Sequence, residues 1–217
     1  MHRSFAAGAA IMVLGSCATA PSAATAPMRS TVPLTVDVRD YGQVPPIQLS
    51  RAIAEVKAIF QDAGVASVWE VARWSKSSSP RPDVGAATSA ITAVIYPSVL
   101  DDEIVADPNI LGVAPGAGGG GHLVYVFSSR VGIVAKRHQA DSGTLLGLVL
   151  AHEMGHVLLK GRAHSKTGVM RPACAAQQLQ DVLGGRRAFN PIESNLIRSS
   201  LLAVVAPMPT QRDFTTR

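Results

Sequence analysis

The sequence predicts an α+β domain: a mixed, twisted sheet of about five strands packed on a backing helix and on a second, deeply buried helix, with a further helix at the C-terminus. Three observations lead there. Short apolar runs of strand length recur through the first two thirds of the chain, interrupted by one clear helical pattern between Pro46 and Phe60. The segment Leu145 to Leu159 is apolar nearly all round, which marks a central helix covered on every side. A last helical pattern places Ile192, Leu196, Ile197 and Leu201 on one face. Composition agrees. Apolar residues make up 47% of the 217 residues, enough for a core, and aromatics only 5%, so that core must rest on Ala, Val, Leu and Ile.

Taken in order, Val32 to Asp40 opens with Val32, Leu34, Val36 and Val38 alternating against other residues, the pattern of a half-buried strand. Pro45 and Pro46 open a helix on which Ile47, Ala52, Ile53, Val56, Ile59 and Phe60 share a face, and Gly64 stops it. Val65 to Val71, with Trp69, is the second strand. A Ser/Pro loop follows over Ser75 to Pro82, and Ala90 to Tyr96 is the third strand, ended by Pro97. Asp101 to Pro108 reads as an acidic loop, Ile110 to Val113 as a short fourth strand, and Pro115 to Gly121 as an irregular, mobile loop because of its glycines. His122 to Ser128 is the fifth strand. Asp141 or Ser142 is the N-cap of the buried helix. The polar stretch Gln177 to Gln180 and Gly184-Gly185 lead to the last helix, from about Pro191 to Val205.

The ends carry a different signal. His2 and Arg3 precede an apolar, small-residue run from Phe5 to Leu14, the length of a signal-peptide core and too short to span a bilayer. Leu14-Gly15-Ser16-Cys17 resembles a lipobox, in which Cys17 would take a lipid anchor; Ala18-Thr19-Ala20 offers a cleavage site instead. The division expected is a signal peptide over 1–20, a linker over 21–31, a domain over 32–206 and a disordered tail over 207–217. An exported, secreted, periplasmic or lipid-anchored monomer is the matching expectation. Of the two cysteines, lipidation or cleavage takes Cys17, and Cys174 is left as a small apolar residue without a disulfide partner. The net charge of +5 is carried by scattered residues such as Arg73, Lys76 and the pairs Lys136-Arg137 and Arg186-Arg187. Nucleic-acid binding needs a clustered basic stripe, so no nucleic-acid partner is expected.

The chemistry lies in the buried helix, where Ala151-His152-Glu153-Met154-Gly155-His156 contains H-E-x-x-H. Histidines four apart lie one turn above each other, so both imidazoles can meet one tetrahedral ion. Glu153 stands beside that ion rather than on it, where a carboxylate can take the proton of a metal-bound water. Two histidines and a carboxylate in an apolar helix are costly to bury without such partners. Zinc is the expected cofactor, with His152 and His156 as ligands and Glu153 as general base. A third protein ligand is needed.

Beyond His156 the chain reads Val157-Leu158-Leu159-Lys160-Gly161-Arg162-Ala163-His164-Ser165, then Gly168-Val169-Met170. The order of H-E-x-x-H, a glycine, a third histidine and a methionine in a turn resembles the metzincin zinc metalloproteases, and most closely their bacterial matrixin-like members. The family pattern puts the glycine three and the histidine six residues after the second histidine. Here Gly161 is five and His164 eight after His156. A helix extended by half a turn accounts for both shifts. The resemblance implies a zincin-like fold, His164 as third ligand, Met170 as an apolar floor beneath the metal, and an extended peptide laid along an edge strand, either His122 to Ser128 or the short strand before it. Glu193, near the start of the last helix, is a rival third ligand, and Asp181 a weaker one; His122 and His138 lack motif spacing and read as structural or surface residues. The function implied is a zinc-dependent endopeptidase acting on peptides or proteins. Two alternatives remain open: an exported zinc-binding protein without peptidase activity, and a zinc hydrolase of another amide such as a cell-wall peptide.

Overall fold

Parallel pairing dominates the sheet, and it dictates the helices that cross between strands. The structure, a computed structural model, describes residues 31–73, 90–97, 107–162, 164–172, 184 and 187–205. The expected leader, most of the linker, Cys17, the Ser75 to Pro82 loop, most of the acidic loop, Cys174, the Gln177 to Gln180 stretch, Asp181 and the tail lie outside the described residues.

The first strand, β1 (Val32–Asp40), buries Val32, Leu34, Val36 and Val38 on one face, the expected alternation. Its last residue, Asp40, is fully buried, and its carboxylate accepts the Val44 N–H at 3.1 and 3.2 Å, closing the turn into the next helix. Burial pushes that carboxyl up, against the pull of its backbone hydrogen bonds and of Arg73. The helix α1 (Pro46–Asp62) begins with proline in its first turn, where the missing N–H costs nothing. Its core face is Leu49, Ala52, Val56, Ile59 and Phe60. Ile47 does not join it: it is 64% exposed, because the first turn faces out and Leu49 takes the core position. Gly64 ends the run at φ +80°, and β2 (Val65–Arg73) follows. β1 and β2 are parallel, so α1 is the crossover such a pair requires.

Next come β3 (Ala90–Tyr96), β4 (Gly112–Val113) and β5 (Leu123–Phe127), and the sheet order is β2-β1-β3-β5-β4. β1 pairs with β3 and β3 with β5 in parallel, while β4 pairs antiparallel to β5 at one edge. The glycine-rich stretch expected to be irregular instead holds a 3₁₀ turn, Ala117–Gly119, and Ala117 is buried against the core.

An unexpected helix, α2 (Ser128–Arg137), starts directly after β5 and buries Val131 and Ala135, one turn apart. Then comes α3 (Ser142–Leu158), the apolar central helix. Its N-cap is Asp141, whose carboxylate accepts the Thr144 N–H at 2.8 Å. α3 packs on α1, on β5 and on the last helix, α4 (Pro191–Val205). The expected architecture, a five-stranded mixed sheet with a backing helix, a buried helix and a C-terminal helix, is therefore present. On α4, Ile197 and Leu201 are buried, whereas Ile192, expected on the same face, is 71% exposed in the first turn.

The α1–α3 crossing is close because α3 carries Gly147 there. A Cβ at that position would stand 2.7 Å from both the Ala52 carbonyl oxygen and the Glu55 Cβ. Backbone cannot move aside cheaply, so Gly147→Val should destabilise the domain by about 1–3 kcal/mol, the usual cost of overpacking. Urea unfolding of the two proteins measures it; an unchanged midpoint would contradict the close crossing.

Candidate metal centre

Helical spacing places His152 and His156 on one face of α3, and the end of the helix decides what meets them. α3 runs to Leu158 before it stops. The Lys160 N–H donates to the Val157 carbonyl at 3.2 Å and the Gly161 N–H to the His156 carbonyl at 2.8 Å, the paired bonds of a Schellman end. Both Lys160 (φ +55°) and Gly161 (φ +68°) are left-handed. The chain thus reverses at Lys160 and Gly161, and His164 returns to the two helical histidines.

The three Nε2 atoms form a small triangle: 3.1 Å between His152 and His156, and 3.2 Å from His164 to each. A tetrahedral zinc with Zn–N near 2.0–2.1 Å sets its ligand nitrogens about 3.3–3.4 Å apart. The donor set fits the ion. The protons argue the same way. His152 Nδ1 lies 2.8 Å from the Val169 carbonyl oxygen, which only accepts, so Nδ1 carries the ring proton and Nε2 presents a bare lone pair to the other two rings. Burial lowers the His152 pKa to about 4, against the Val169 hydrogen bond, and the neighbouring histidines lower it further. Burial and then the His164 charge also lower His156. Imidazole nitrogens this close repel where both present bare lone pairs, and a cation between them removes that cost. Among the described residues these three histidines form the group able to hold one.

Glu153, next to His152, is buried, and burial pushes its carboxyl up to about 8. It faces a cleft of about 570 Å³ with His152, His156 and His164. The other walls are largely apolar, with Leu145, Leu148 and Val149 from α3 and Ile110 to Ala114 along β4. β4 sits close: a Cβ on Gly112 would lie 2.9 Å from the Glu153 Cγ. The edge of the sheet here is β4. β5 is not available as an edge, because β3 and β4 pair with its two sides.

Met170 is buried with its Sδ against Gly155, where any Cβ would collide with it and would stand 3.0 Å from Phe189 Cε1. The methionine thus packs on α3 at Gly155, outside the nitrogen triangle. Glu193 turns elsewhere: its carboxylate accepts from the Ser165 hydroxyl and, at 2.7 Å, from the Asn190 N–H. His122 is exposed at the start of β5 and His138 caps α2; neither joins the cluster.

Arg130 was not legible as a site residue. From α2 its buried guanidinium donates to the Asp107 and Ile110 carbonyls at 2.7 and 2.9 Å, with its Cζ 4.6 Å from the Phe127 ring centre. It thereby fixes the segment that leads into β4 and the rim of the cleft. An arginine on an unforeseen helix gives no such signal in sequence.

No protein-family model matches the chain, and no curated protein sequence matches it. Among the solved structures that resemble it is a zinc-dependent peptidase from Methanocorpusculum labreanum, a weak likeness with 12% identity and a TM-score of 0.48, over 75% of this chain and 99% of that one.

Titration of metal-free protein should expose the site. Glu153 is protonated in the fold up to about pH 8 but ionises near 4.5 when unfolded, so it costs stability increasingly as pH rises between those values. His152, with a folded pKa of about 4 against 6.5, acts oppositely, adding stability as pH rises from about 4 to 6.5. His156, also lowered by burial, acts in the same sense as His152, so the histidines oppose Glu153 below pH 6.5. Above it Glu153 stands alone, so the unfolding free energy should fall from pH 6.5 to 8 by about 1 kcal/mol per unit. Glu153→Gln should remove that slope in chelator-treated protein, and a slope that survives the substitution would refute the assignment.

Proposed function

We propose that this chain is a zinc-dependent metalloendopeptidase of the metzincin type, similar to the bacterial matrixins, with His152, His156 and His164 as metal ligands and Glu153 as general base. One observation carries the reading: three imidazole Nε2 atoms 3.1–3.2 Å apart open, beside a buried carboxylate, into a cleft. Zinc bound there supplies Lewis acidity, polarising a carbonyl and acidifying a water. The chain's own residues do the rest. Glu153 receives the proton of the attacking water and passes it to the leaving amine. Its burial favours that exchange, because a carboxyl held high takes up a proton readily, while a cation alongside draws the same group back towards ionisation. His152 is kept in one tautomer by the Val169 carbonyl. β4, at the open edge of the sheet, offers backbone groups to an extended peptide.

A purely structural zinc fits less well. Such sites are closed by four protein ligands, whereas the described residues bring three histidines together and these face a cleft. The proposed setting is outside the cytoplasm, supported by the signal-like run from Phe5 to Leu14 and by the lipobox-like Cys17.

Purified protein should carry one zinc per chain by elemental analysis and cleave unfolded polypeptide substrates. Glu153→Gln should keep the zinc and lower kcat by at least about 10²-fold, the scale of a lost general base. His164→Ala should lose both metal and activity. An active Glu153→Gln protein would overturn the mechanism. Full zinc occupancy with no cleavage of polypeptides, but turnover of cell-wall peptides, would move the assignment to another amide.

A further inference from the structure

We propose that Ser165 and Glu193 form a positioning pair that fixes the loop bearing His164, so that the affinity of the metal site depends on the N-terminus of α4. The inference rests on the metal-centre reading and extends it to two residues outside the ligand set. His164 differs from the helical histidines in being exposed, so packing does not hold its ring, although Val169 and Met170 further along the loop are buried. Hydrogen bonds hold the loop. The Ser165 N–H donates to the Met170 carbonyl at 2.9 Å, and the Val169 N–H to the Ala188 carbonyl at 3.1 Å, pressing the loop onto the chain just before α4. The same Val169 carries the carbonyl that orients His152.

Glu193 completes the clamp. Asn190 is the cap of α4, its Oδ1 accepting the N–H groups of Ile192 and Glu193, both at 2.9 Å. Glu193 reaches back through Oε2 to the Asn190 N–H at 2.7 Å, the reciprocal arrangement of a capping box. A capping box uses one carboxylate oxygen. The other, Oε1, accepts the Ser165 hydroxyl, and Asn190 Nδ2 stands 3.5 Å from that same hydroxyl. The carboxylate is only 6% exposed, so it is committed to these partners. Ser165 neighbours His164 in sequence, and a loop already ordered loses less entropy when its histidine takes up a metal. Glu193 therefore acts on the site through Ser165.

The test is zinc affinity by chelator competition, with the visible absorption of the cobalt-substituted protein, for the wild type, Ser165→Ala, Glu193→Ala, Glu193→Gln and the Ser165→Ala/Glu193→Ala double variant. Each alanine variant should bind zinc about 10–100-fold more weakly, the range for lost outer partners of metal ligands. The double variant should be no weaker than the weaker single one, because one interaction is lost in all three. The cobalt bands should move the same way in both single variants. Glu193→Gln keeps an oxygen for Ser165 and should recover most of the affinity even though its cap is weaker. Ser165→Ala leaves the capping box intact, so it decides the matter if Glu193→Ala fails to fold. Unchanged zinc affinity in Ser165→Ala, or additive losses in the double variant, would leave Glu193 as a helix cap only. A wild type that binds no zinc would instead remove the metal-centre reading, and the positioning role with it.

Discussion

Three imidazole nitrogens converge within 3.2 Å of one another, and much of the molecule serves to hold them there. Each imidazole comes with its own restraint: His152 through its Nδ1 bond to Val169, His156 through its place one turn further along α3, His164 through the reversal at Lys160 and Gly161. Burial keeps the two helical rings neutral, so the repulsion is between dipoles rather than between full charges. A divalent ion converts that cost into binding free energy. The site is in this sense pre-organised, and its ligands need little movement to close on a metal.

The surrounding fold follows from the same constraint. A helix that presents two histidines and a carboxylate to a cleft must be fixed on its other sides, and α3 is: α1 crosses it at Gly147, Met170 fills the space at Gly155, and α4 and β5 pack beside it. The parallel order of β1, β3 and β5 sets the platform, and antiparallel β4 ends it where the cleft opens. Arg130 and Glu193 play comparable parts. One is a buried cation that gathers the carbonyls of the cleft rim; the other is a buried carboxylate that gathers donors from the ligand loop and a helix end.

Local patterns were readable from sequence and long-range ones were not. β1, α1 and α3 declare themselves through periodicity, and His152, Glu153 and His156 through their spacing, because those signals lie within a few residues. The Asp141 cap was legible for the same reason. α2 escaped notice: it follows β5 without a break and has no capping side chain, and its apolar stripe of Val131 and Ala135 is short. Ile47 and Ile192 fit the buried faces by periodicity but are exposed, because periodicity does not register that a first turn can lie beyond the core. The glycine-rich stretch looked structureless, yet Ala117 finds a core to enter. Glu193 shows the limit most clearly. Its residue type and its place near a helix start suited a ligand equally well, and only the approach of Ser165, 28 positions earlier, assigns the carboxylate to a different partner.

The separation of these contacts along the chain has a consequence for biosynthesis. The histidines occupy positions 152 to 164, but the segment that braces their loop, Ala188 to Glu193, is made afterwards. A chain emerging N-terminus first exposes all three imidazoles before their brace exists. The cradle becomes rigid only once α4 has been synthesised and has docked, so maturation of the site is ordered in time.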